Sequence, residues 1–407
     1  MALTGNSDGP PRMCPVALAS YAQGVVMALS SLAEVPLSTT LDGARLLGER
    51  AAIAGYRRNG SISAAGTCQF VEASDGWIAI NLARSDDWAM LSALCGEQIN
   101  PDWSHLASAI RDRNADDLVE LGRELGLPIA RLGGPASSES WFEIVRQPAR
   151  AVARRRPHPI VIDLSSLWAG PLCGSLLKLM GARVIKVESI QRPDGARCGP
   201  TKFFDLLNSG KESVALDFST AAGREDLIRL IANADIVIEA SRPRALRQLG
   251  ISAERFTEQN PGLVWLSITG YGRQGEESQW VAFGDDAGVA AGLSAIVSQN
   301  RRRPIFCGDA IGDPLTGLHA ALLAWSRWRK GHGGVMSVAL RDVVAHCISY
   351  DARRWGAPTR TRQRVWELLL EKLRVPAAPP IARRRKGRAR PLGADTSDVL
   401  RGLENRC

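Results

Sequence analysis

Hydrophobic positions along the chain alternate between two periods, which predicts strands and helices in turn. Residues 161–188 show this most clearly: a β-branched apolar run at 161–164 is typical of a buried strand and is ended by Ala-Gly-Pro at 169–171. Leucines at helical spacing follow as far as Gly181, and residues 184–188 form a second apolar run. A strand, a helix and a strand of these lengths indicate a βαβ unit and hence a parallel sheet.

The same alternation continues beyond this unit. Further predicted strands lie at 213–217, 235–239, 263–268 and 335–340, and helical periodicity lies at 223–232, around 244–249 and in the apolar stretch that ends at 330. The predicted fold class is therefore α/β, with a doubly wound, Rossmann-like large domain and a smaller α+β domain.

The smaller domain is predicted from residues 60–132. Two apolar runs at 67–71 and 77–81 flank an Asp-Gly pair, which is a strong hairpin signal. Helical patterns precede and follow the hairpin, at 21–32, 44–56, 86–94 and 114–125. We predict an N-terminal loop and helix at 1–40, the small domain at 41–134, a linker at 135–158, the large domain at 159–350 and a basic C-terminal tail at 351–407.

Composition narrows the class of protein. No apolar run reaches the eighteen residues of a membrane helix and no secretory leader is visible, so we expect no membrane association and a cytoplasmic location. The eight cysteines form no Cys-x-x-Cys pair and the five histidines form no ligand pattern. We therefore expect reduced thiols and no metal site.

The net charge of +9 is concentrated in arginine runs at 150–156, 301–303 and 382–390. No aromatic residues interleave with them and no nucleic-acid-binding motif accompanies them, so solvated linkers and a loose tail are the favoured interpretation. The positive electrostatic potential of these runs would also attract a polyanionic small molecule.

The turn at 169–171 places small residues at a helix N-terminus, where a phosphate group can approach backbone N–H groups. Glu188 closes the following strand as in dinucleotide-binding units, but no G-x-G-x-x-G is present. A nicotinamide or flavin site is therefore disfavoured, since βαβ units occur in many folds that bind neither.

An internal repeat links the N-terminus to the large domain. Segments 11–29 and 304–322 align without gaps and share six identical residues, at Pro11 and Pro304, Cys14 and Cys307, Ala17 and Ala310, Gly24 and Gly317, Ala28 and Ala321, and Leu29 and Leu322. The wider segments are 1–40 and 294–333. Within this alignment Asp313 matches Ser20, so only one copy carries a carboxylate.

Five motifs between 159 and 345 resemble, in order, those of the family III coenzyme A transferases (the CaiB/BaiF family), which include formyl-CoA and carnitine CoA-transferases and α-methylacyl-CoA racemase. They are DLSSLWAGPLCGSLLKLMGARVIKVE, NSGK with SVALDF, ADIVIEASRPRALRQLG, NPGLVWLSITGYG and GDPLTGLHAALLAW. Residues 60–132 resemble the family's smaller domain, which usually follows the large one, so the chain resembles a permuted or tandem-derived member.

The resemblance implies that Asp313 is a nucleophile. In the family this aspartate attacks an acyl-CoA thioester to give a mixed anhydride, and the CoA thiolate then forms an aspartyl-CoA thioester. From the residues alone, Asp313 followed by Pro314 also fits an ordinary helix N-cap. Both interpretations stay open at this point, and one residue can do both.

The resemblance also implies which residues contact CoA. They are Trp168, Ala169, Leu216, Ala240, Ser241, Arg247, Thr269 and Gly270. Two basic positions of the family are Ser189 and Gln248 here, and loss of such a cation would weaken CoA binding by on the order of 1–3 kcal/mol. Substitute cations are Arg192, Arg197, Arg242 and Arg247.

The resemblance implies an acyl-CoA:carboxylic acid CoA-transferase that forms a homodimer, takes a CoA thioester as substrate and has no permanently bound cofactor. An acyl-CoA racemase or isomerase is the first alternative, disfavoured because Phe283 stands where the racemase base is expected and His319 fits a packed histidine. A non-catalytic CoA-binding partner subunit is the second, favoured by Ser20, Ser189, Gln248 and a reduced glycine loop at 59–66.

Overall fold

The computed structural model describes residues 2–34, 37, 41–148, 150–153, 156–299, 302–355, 359–373 and 377–404. The N-terminal part contains α1 (Leu18–Leu32), α2 (Gly43–Leu46), α3 (Glu49–Ala54), β1 (Cys68–Ala73), β2 (Gly76–Asn81), α4 (Asp87–Cys95), α5 (Trp103–Ile110), α6 (Ala115–Glu124) and β3 (Ile129–Arg131). The next part contains β4 (Glu143–Arg146), β5 (Ile160–Asp163), α7 (Ala169–Leu179), β6 (Arg183–Ser189), α8 (Thr201–Asn208), β7 (Glu212–Leu216), α9 (Ala221–Ala232), β8 (Ile236–Glu239), α10 (Pro243–Gln248), α11 (Ala253–Gln259) and β9 (Val264–Thr269). The last part contains α12 (Gly284–Ala290), α13 (Leu293–Val297), α14 (Gly312–Arg329), β10 (Gly334–Ala339), α15 (Leu340–Trp355), α16 (Thr359–Leu373) and α17 (Thr396–Glu404).

The large sheet has the order β4-β10-β9-β8-β5-β6-β7. All neighbours run parallel except β4, which pairs antiparallel with β10. Its central strands are buried along their whole length, because a parallel sheet is covered on both faces. Their sequences therefore show continuous apolar runs, and the predicted α/β class is confirmed.

Helices cover both faces of this sheet. One apolar core is formed with residues of α1, α7, α12, α14 and α15. A second core, on the other face, includes residues of α9, α10, α11 and α17. Two cores on opposite faces are the mark of a doubly wound arrangement.

The small domain is an antiparallel sheet of order β1-β2-β3 with α4, α5 and α6 packed on it. The predicted hairpin is confirmed, with Ala73 paired to Gly76. The Asp75 carboxylate of the turn accepts a hydrogen bond from the Ala115 N–H at 2.8 Å, which ties the turn to the start of α6.

Two sequence predictions require correction. Residues 135–158, predicted as a linker, include the edge strand β4. The tail is not loose where the structure describes it: Arg383 pairs with Glu49 at 3.5 Å, Arg385 pairs with Asp205 at 2.7 Å, and Val399 is buried in the second core. Buried carboxylates require a partner, and the arginines of the tail supply it.

The single helix predicted at 44–56 is two short helices, α2 and α3, separated at Gly48. The large-domain boundary predicted at 350 falls inside α15. The boundary predicted at 40 lies outside the described residues. Within the described ranges, no helix combines the length and the apolar character that crossing a membrane requires.

The two segments of the internal repeat have similar local structure, since each forms a loop followed by a helix. Helices α1 and α14 lie in contact, and the thiols of Cys14 and Cys307 are near enough to shift each other's pKa. Ser20 lies on an exposed part of α1, away from the core, whereas Asp313 is half-buried. The two copies therefore differ in position as well as in chemistry.

Candidate functional site

The candidate site lies where the order of the parallel strands changes direction. Strand β5 is followed in sequence by β6 on one side of it, while β8 lies on its other side. In open α/β sheets, ligands bind in the crevice at the carboxyl ends of the strands at such a point. Helix α7 begins there, directly after the loop that follows β5.

Asp313 reaches this crevice from α14. It is the second residue of that helix, whose N-cap is Ile311 and has no side-chain capping bond. The Asp313 carboxylate instead accepts a hydrogen bond from the N–H of Gly284 at 3.0 Å, and the N–H of Ala169 lies near enough to lower the pKa of Asp313. The structure therefore shows no N-cap role for Asp313 in its own helix; its carboxylate faces the first residues of α12 and α7.

Glycines allow these helices to approach closely. A Cβ atom at Gly284 would lie 2.3 Å from the Ala310 carbonyl oxygen and 2.4 Å from Asp313 Oδ2. A Cβ atom at Gly317 would lie 2.6 Å from the Ala169 carbonyl oxygen. Both positions therefore require glycine for steric reasons.

Backbone strain is concentrated in the two loops that form the site. Among the described residues, Leu167 and Ala310 are the non-glycine residues with positive φ, at 70° and 41°. Leu167 precedes α7, and Ala310 precedes α14. Each such residue costs on the order of 1–3 kcal/mol, which the surrounding contacts must offset.

The strained loop before α7 is held by charged groups. The Leu167 N–H donates to Asp194 Oδ1 at 2.9 Å, and Lys186 Nζ donates to the Ser165 carbonyl oxygen at 2.8 Å. Lys211 Nζ lies 2.7 Å from Asp163 Oδ2. Both lysines are buried, so the motifs VIKVE and NSGK contribute structural cations beneath the loop.

A group of acids surrounds Asp313, with one arginine among them. Asp309 is fully buried and receives two hydrogen bonds from Arg50, at 3.0 Å from Nε and 2.5 Å from Nη2. Asp285 accepts the Ala310 N–H at 2.9 Å. The guanidinium carbon of Arg50 also lies 5.1 Å from the centre of the Trp168 ring. Arg50 thus connects α3 with both loops.

The protonation of these acids is shifted by their environment. Burial raises the pKa of Asp313 to about 6, although Arg50 and the N–H groups of Gly284 and Ala169 act in the opposite direction. Burial and the neighbouring Asp309 raise the pKa of Asp285 to about 7. With a pKa of about 6, the Asp313 carboxyl group is largely ionised at pH 7, as nucleophilic attack requires.

The residues predicted to contact CoA lie mostly along one edge of the sheet. They follow or end its parallel strands at the carboxyl side: Trp168 and Ala169 after β5, Leu216 at the end of β7, Ala240 and Ser241 after β8, and Thr269 and Gly270 at the end of β9. Arg247 lies in the last turn of α10, with its side chain 57% exposed and 3.7 Å from Glu254.

Several of these side chains already have partners within the protein. Trp168 is buried between Arg50 and the ring of Phe203, whose centroid is 5.3 Å away. Ser241 Oγ donates to Glu239, and Thr269 Oγ1 accepts the Gly272 N–H at 2.9 Å. These residues shape the edge of the sheet, and their contact with CoA stays a prediction.

The arginines suggested as phosphate-binding substitutes fall into two groups. Arg197 forms a bidentate pair with Glu188, at 2.9 and 2.6 Å, and Arg247 pairs with Glu254. Arg192 and Arg242 have no carboxylate partner in the described part of the chain. Burial and then the nearby Arg244, Arg84 and Arg192 lower the pKa of Arg242, which shows that like charges are gathered there.

His319 is a packed residue. Its Nδ1 lies 2.7 Å from the Leu315 carbonyl oxygen and its ring is 5.0 Å from that of Trp141. Burial lowers the pKa of His319 to about 4, so the ring is neutral at physiological pH. Phe283, at the position where a racemase base is expected, caps α12 with its backbone.

Arg50, Asp309 and Asp285 were not predicted from the sequence. Asp309 belongs to a second Gly-Asp pair, four residues before Asp313, and this duplication was the available signal. Nothing near Arg50 in sequence distinguishes it from the other arginines, because its partner lies 259 residues away.

Comparisons with known proteins agree on one family. The model of CoA-transferase family III matches residues 159–371, just over half of the chain. The chain is 33% identical over 232 residues to succinyl-CoA–D-citramalate CoA-transferase of Chloroflexus aurantiacus, covering 53% of this chain and 58% of that protein. It is 32% identical over 197 residues to formyl-CoA:oxalate CoA-transferase of Escherichia coli, covering 45% of this chain and 47% of that protein.

Among solved structures, a CaiB/BaiF family protein from Brucella suis is 31% identical, with a TM-score of 0.44, covering 49% of this chain and 57% of that one. The chain spans about half the length of the curated relatives it matches. The matched region contains Asp313 and the whole parallel part of the large sheet. The chain therefore belongs to CoA-transferase family III.

Proposed function

We propose that this protein transfers coenzyme A from an acyl-CoA to a carboxylic acid, with Asp313 as the nucleophile. The observation that carries the proposal is the position of the Asp313 carboxylate. It is half-buried at the carboxyl edge of the sheet, accepts the N–H of Gly284 at the start of α12, and lies near the N–H of Ala169 at the start of α7. A nucleophile needs such access to a ligand crevice, and these N–H groups offset part of the cost of burying its charge.

The chemistry follows from a carboxylate and a thioester. An Asp313 oxygen attacks the thioester carbonyl carbon, the C–S bond breaks, and CoA leaves as a thiolate with a mixed anhydride on Asp313. The thiolate then attacks the Asp313 carbonyl carbon and releases the donor acid, leaving an aspartyl-CoA thioester. The acceptor carboxylate attacks this thioester, and the same two steps in reverse give the new acyl-CoA and free Asp313.

Backbone N–H groups are the suitable stabilisers for the oxyanions of these steps. Each attack places negative charge on a carbonyl oxygen, and preorganised donors lower the barrier for such charge. The start of α7 provides N–H groups beside Asp313, on a helix of 11 residues. Gly284 leaves no side chain between α12 and the carboxylate.

The phosphates of CoA require cations near the same edge. Arg192 follows β6, while Arg242 and Arg244 follow β8. We assign these three arginines to the phosphate groups, because none of them has a carboxylate partner among the described residues and because Arg244 and Arg192 both act on the charge of Arg242. They take the place of the cations that are absent at Ser189 and Gln248.

The names of the relatives support a carboxylic acid acceptor. The protein of Chloroflexus aurantiacus is a succinyl-CoA–D-citramalate CoA-transferase, and that of Escherichia coli is a formyl-CoA:oxalate CoA-transferase. Each transfers CoA between two acids. A donor acyl-CoA and an acceptor acid are therefore the substrate class that we propose for this chain.

A transfer assay tests the proposal. The protein is incubated with a panel of acyl-CoAs and isotope-labelled carboxylic acids, and the labelled acyl-CoA products are separated by mass, for wild type and Asp313→Asn. We expect a labelled acyl-CoA from wild type and a loss of on the order of 10³-fold or more in the variant. Exchange of an α-proton with solvent deuterium, without transfer of CoA, would contradict the proposal and indicate an isomerase instead.

A further inference from the structure

Arg50 is the residue near Asp313 that the proposed reaction does not yet use. Its side chain comes from α3, in the N-terminal part of the chain, outside the region that matches the family. It is 26% exposed and lies beside three carboxylates, those of Asp309, Asp285 and Asp313. Burial lowers the pKa of Arg50, but these carboxylates outweigh burial and raise it, so the guanidinium stays charged.

The contacts of Arg50 fix the loop that leads into α14. Both of its hydrogen bonds go to Asp309, which is 0% exposed. Asp309 adjoins the strained Ala310, whose N–H is held by Asp285 and whose carbonyl oxygen accepts the Asp313 N–H at 2.9 Å. A movement of Asp309 would therefore be transmitted through one residue to the start of α14.

Arg50 is also the cation that offsets the negative charge of the acids around Asp313. The charged groups that face Asp313 are Arg50 on α3, Asp309 on the preceding loop and Asp285 on α12, and α7 contributes the Ala169 N–H. Without Arg50, three acids would share a buried site with no cation among these groups. Like charges in such a site force protons onto some of its members, and a protonated Asp313 cannot attack a thioester.

We propose that Arg50 is a positioning residue for the reaction at Asp313: through Asp309 it fixes the loop before α14, and by its charge it keeps Asp313 ionised. This inference rests on the proposed function for its effect on the rate. Its effect on the ionisation of Asp313 is independent of that function.

The test compares Arg50→Gln and Arg50→Lys with Arg45→Gln. Arg45 is the matched control, since it also lies in the N-terminal part and pairs with an acid, Asp42 at 3.3 Å, but is 57% exposed. A water-soluble carbodiimide with an amine labels protonated carboxyl groups, and fragment masses separate Asp313 from Asp309. Labelling of Asp313 is followed from pH 4.5 to pH 9, and acyl transfer is measured over the same range.

We expect the labelling midpoint of Asp313 to move upward by about one pH unit in Arg50→Gln, and to stay in place in Arg45→Gln. Arg50→Lys keeps the charge but loses the bidentate pair, so its midpoint should stay near that of wild type. Transfer should fall on the order of 10²-fold in both Arg50 variants, because the loop is displaced in both. The residual pH profile of Arg50→Gln should also be shifted upward.

If Arg50→Gln does not fold, the double variant with Asp309→Asn removes the opposite charges together and carries the same test. Transfer should still fall on the order of 10²-fold in that double variant, because the ion pair that fixes the loop before α14 is lost. An unchanged Asp313 midpoint in folded Arg50→Gln, or transfer rates in the Arg50 variants equal to that of Arg45→Gln, would overturn the inference. Absence of transfer in wild type would contradict the proposed function instead, while the labelling result would still judge Arg50.

Discussion

The contact between Gly284 and Asp313 leads to a quantitative prediction for Gly284→Ala. The added Cβ would meet the Ala310 carbonyl oxygen at 2.3 Å and Asp313 Oδ2 at 2.4 Å, both far inside van der Waals contact. Forcing a methyl group into a packed site costs about 1–3 kcal/mol. Weakening the hydrogen bond from the Gly284 N–H costs a further 1–3 kcal/mol or so, offset by roughly 0.5–1 kcal/mol because alanine favours helix.

The expected result is a loss of about 1–5 kcal/mol in the free energy of unfolding, centred near roughly 3 kcal/mol, from the sum of these terms. Acyl transfer should fall on the order of 10²-fold, because the carboxylate is displaced from its N–H donors. Urea denaturation followed by tryptophan fluorescence gives the first quantity, and the transfer assay gives the second.

Gly288→Ala is the matched control, since it lies on the same helix and its added Cβ would meet Ile311 Cγ2 at 3.4 Å, an ordinary contact. We expect its stability to change by less than about 1 kcal/mol and its transfer rate to stay within a few-fold of wild type. Equal stability and equal transfer rates in the two variants would show that the close approach at Gly284 does not hold Asp313.

Three further predictions follow from the charges. The rate of CoA transfer should rise between pH 5 and pH 7 and then level off, because the pKa of Asp313 is raised to about 6. A rate that is flat over this range would contradict this prediction. Arg242→Gln and Arg244→Gln should each weaken CoA binding by roughly tenfold in calorimetry while Arg401→Gln, on the exposed face of α17, should not. Burial raises the pKa of Asp286 from 3.8 to about 7, so the stability contributed by its neutral form is lost as the pH rises through 7. Asp286→Asn should therefore raise the melting temperature at pH 8 more than at pH 5. An equal change at the two pH values would contradict this prediction.

Local patterns allowed much of the fold to be predicted from the sequence. The hairpin of β1 and β2 and the unit from β5 to β6 each depend on residues that are neighbours in sequence. Strand β4 was missed because it is an edge strand with mostly exposed residues, so it has no apolar alternation. The tail was misjudged because the acids that bind it lie about 180 or more residues away.

In the candidate site, too, features set by neighbouring residues were predicted and features set by distant contacts were not. The position of Asp313 within its motif was visible in the sequence, but the choice between helix cap and nucleophile was not, because Asp-Pro before an apolar helix fits both. The carboxylate lies beside Gly284 and Ala169, which approach it only in the folded chain, and its role as nucleophile is our proposal. Arg50 depends in the same way on a contact with Asp309 that no local pattern records.

The most direct test of the account is intact-protein and peptide mass spectrometry after incubation with a panel of acyl-CoAs, with and without hydroxylamine, for wild type and Asp313→Ala. Circular dichroism and CoA binding establish first that the variant is folded. If Asp313 is the nucleophile, we expect a CoA-sized, hydroxylamine-sensitive adduct whose fragments place it on Asp313, and no adduct in the variant. An adduct on another residue, or none from an acyl-CoA that demonstrably binds, would contradict the central claim that Asp313 is the nucleophile.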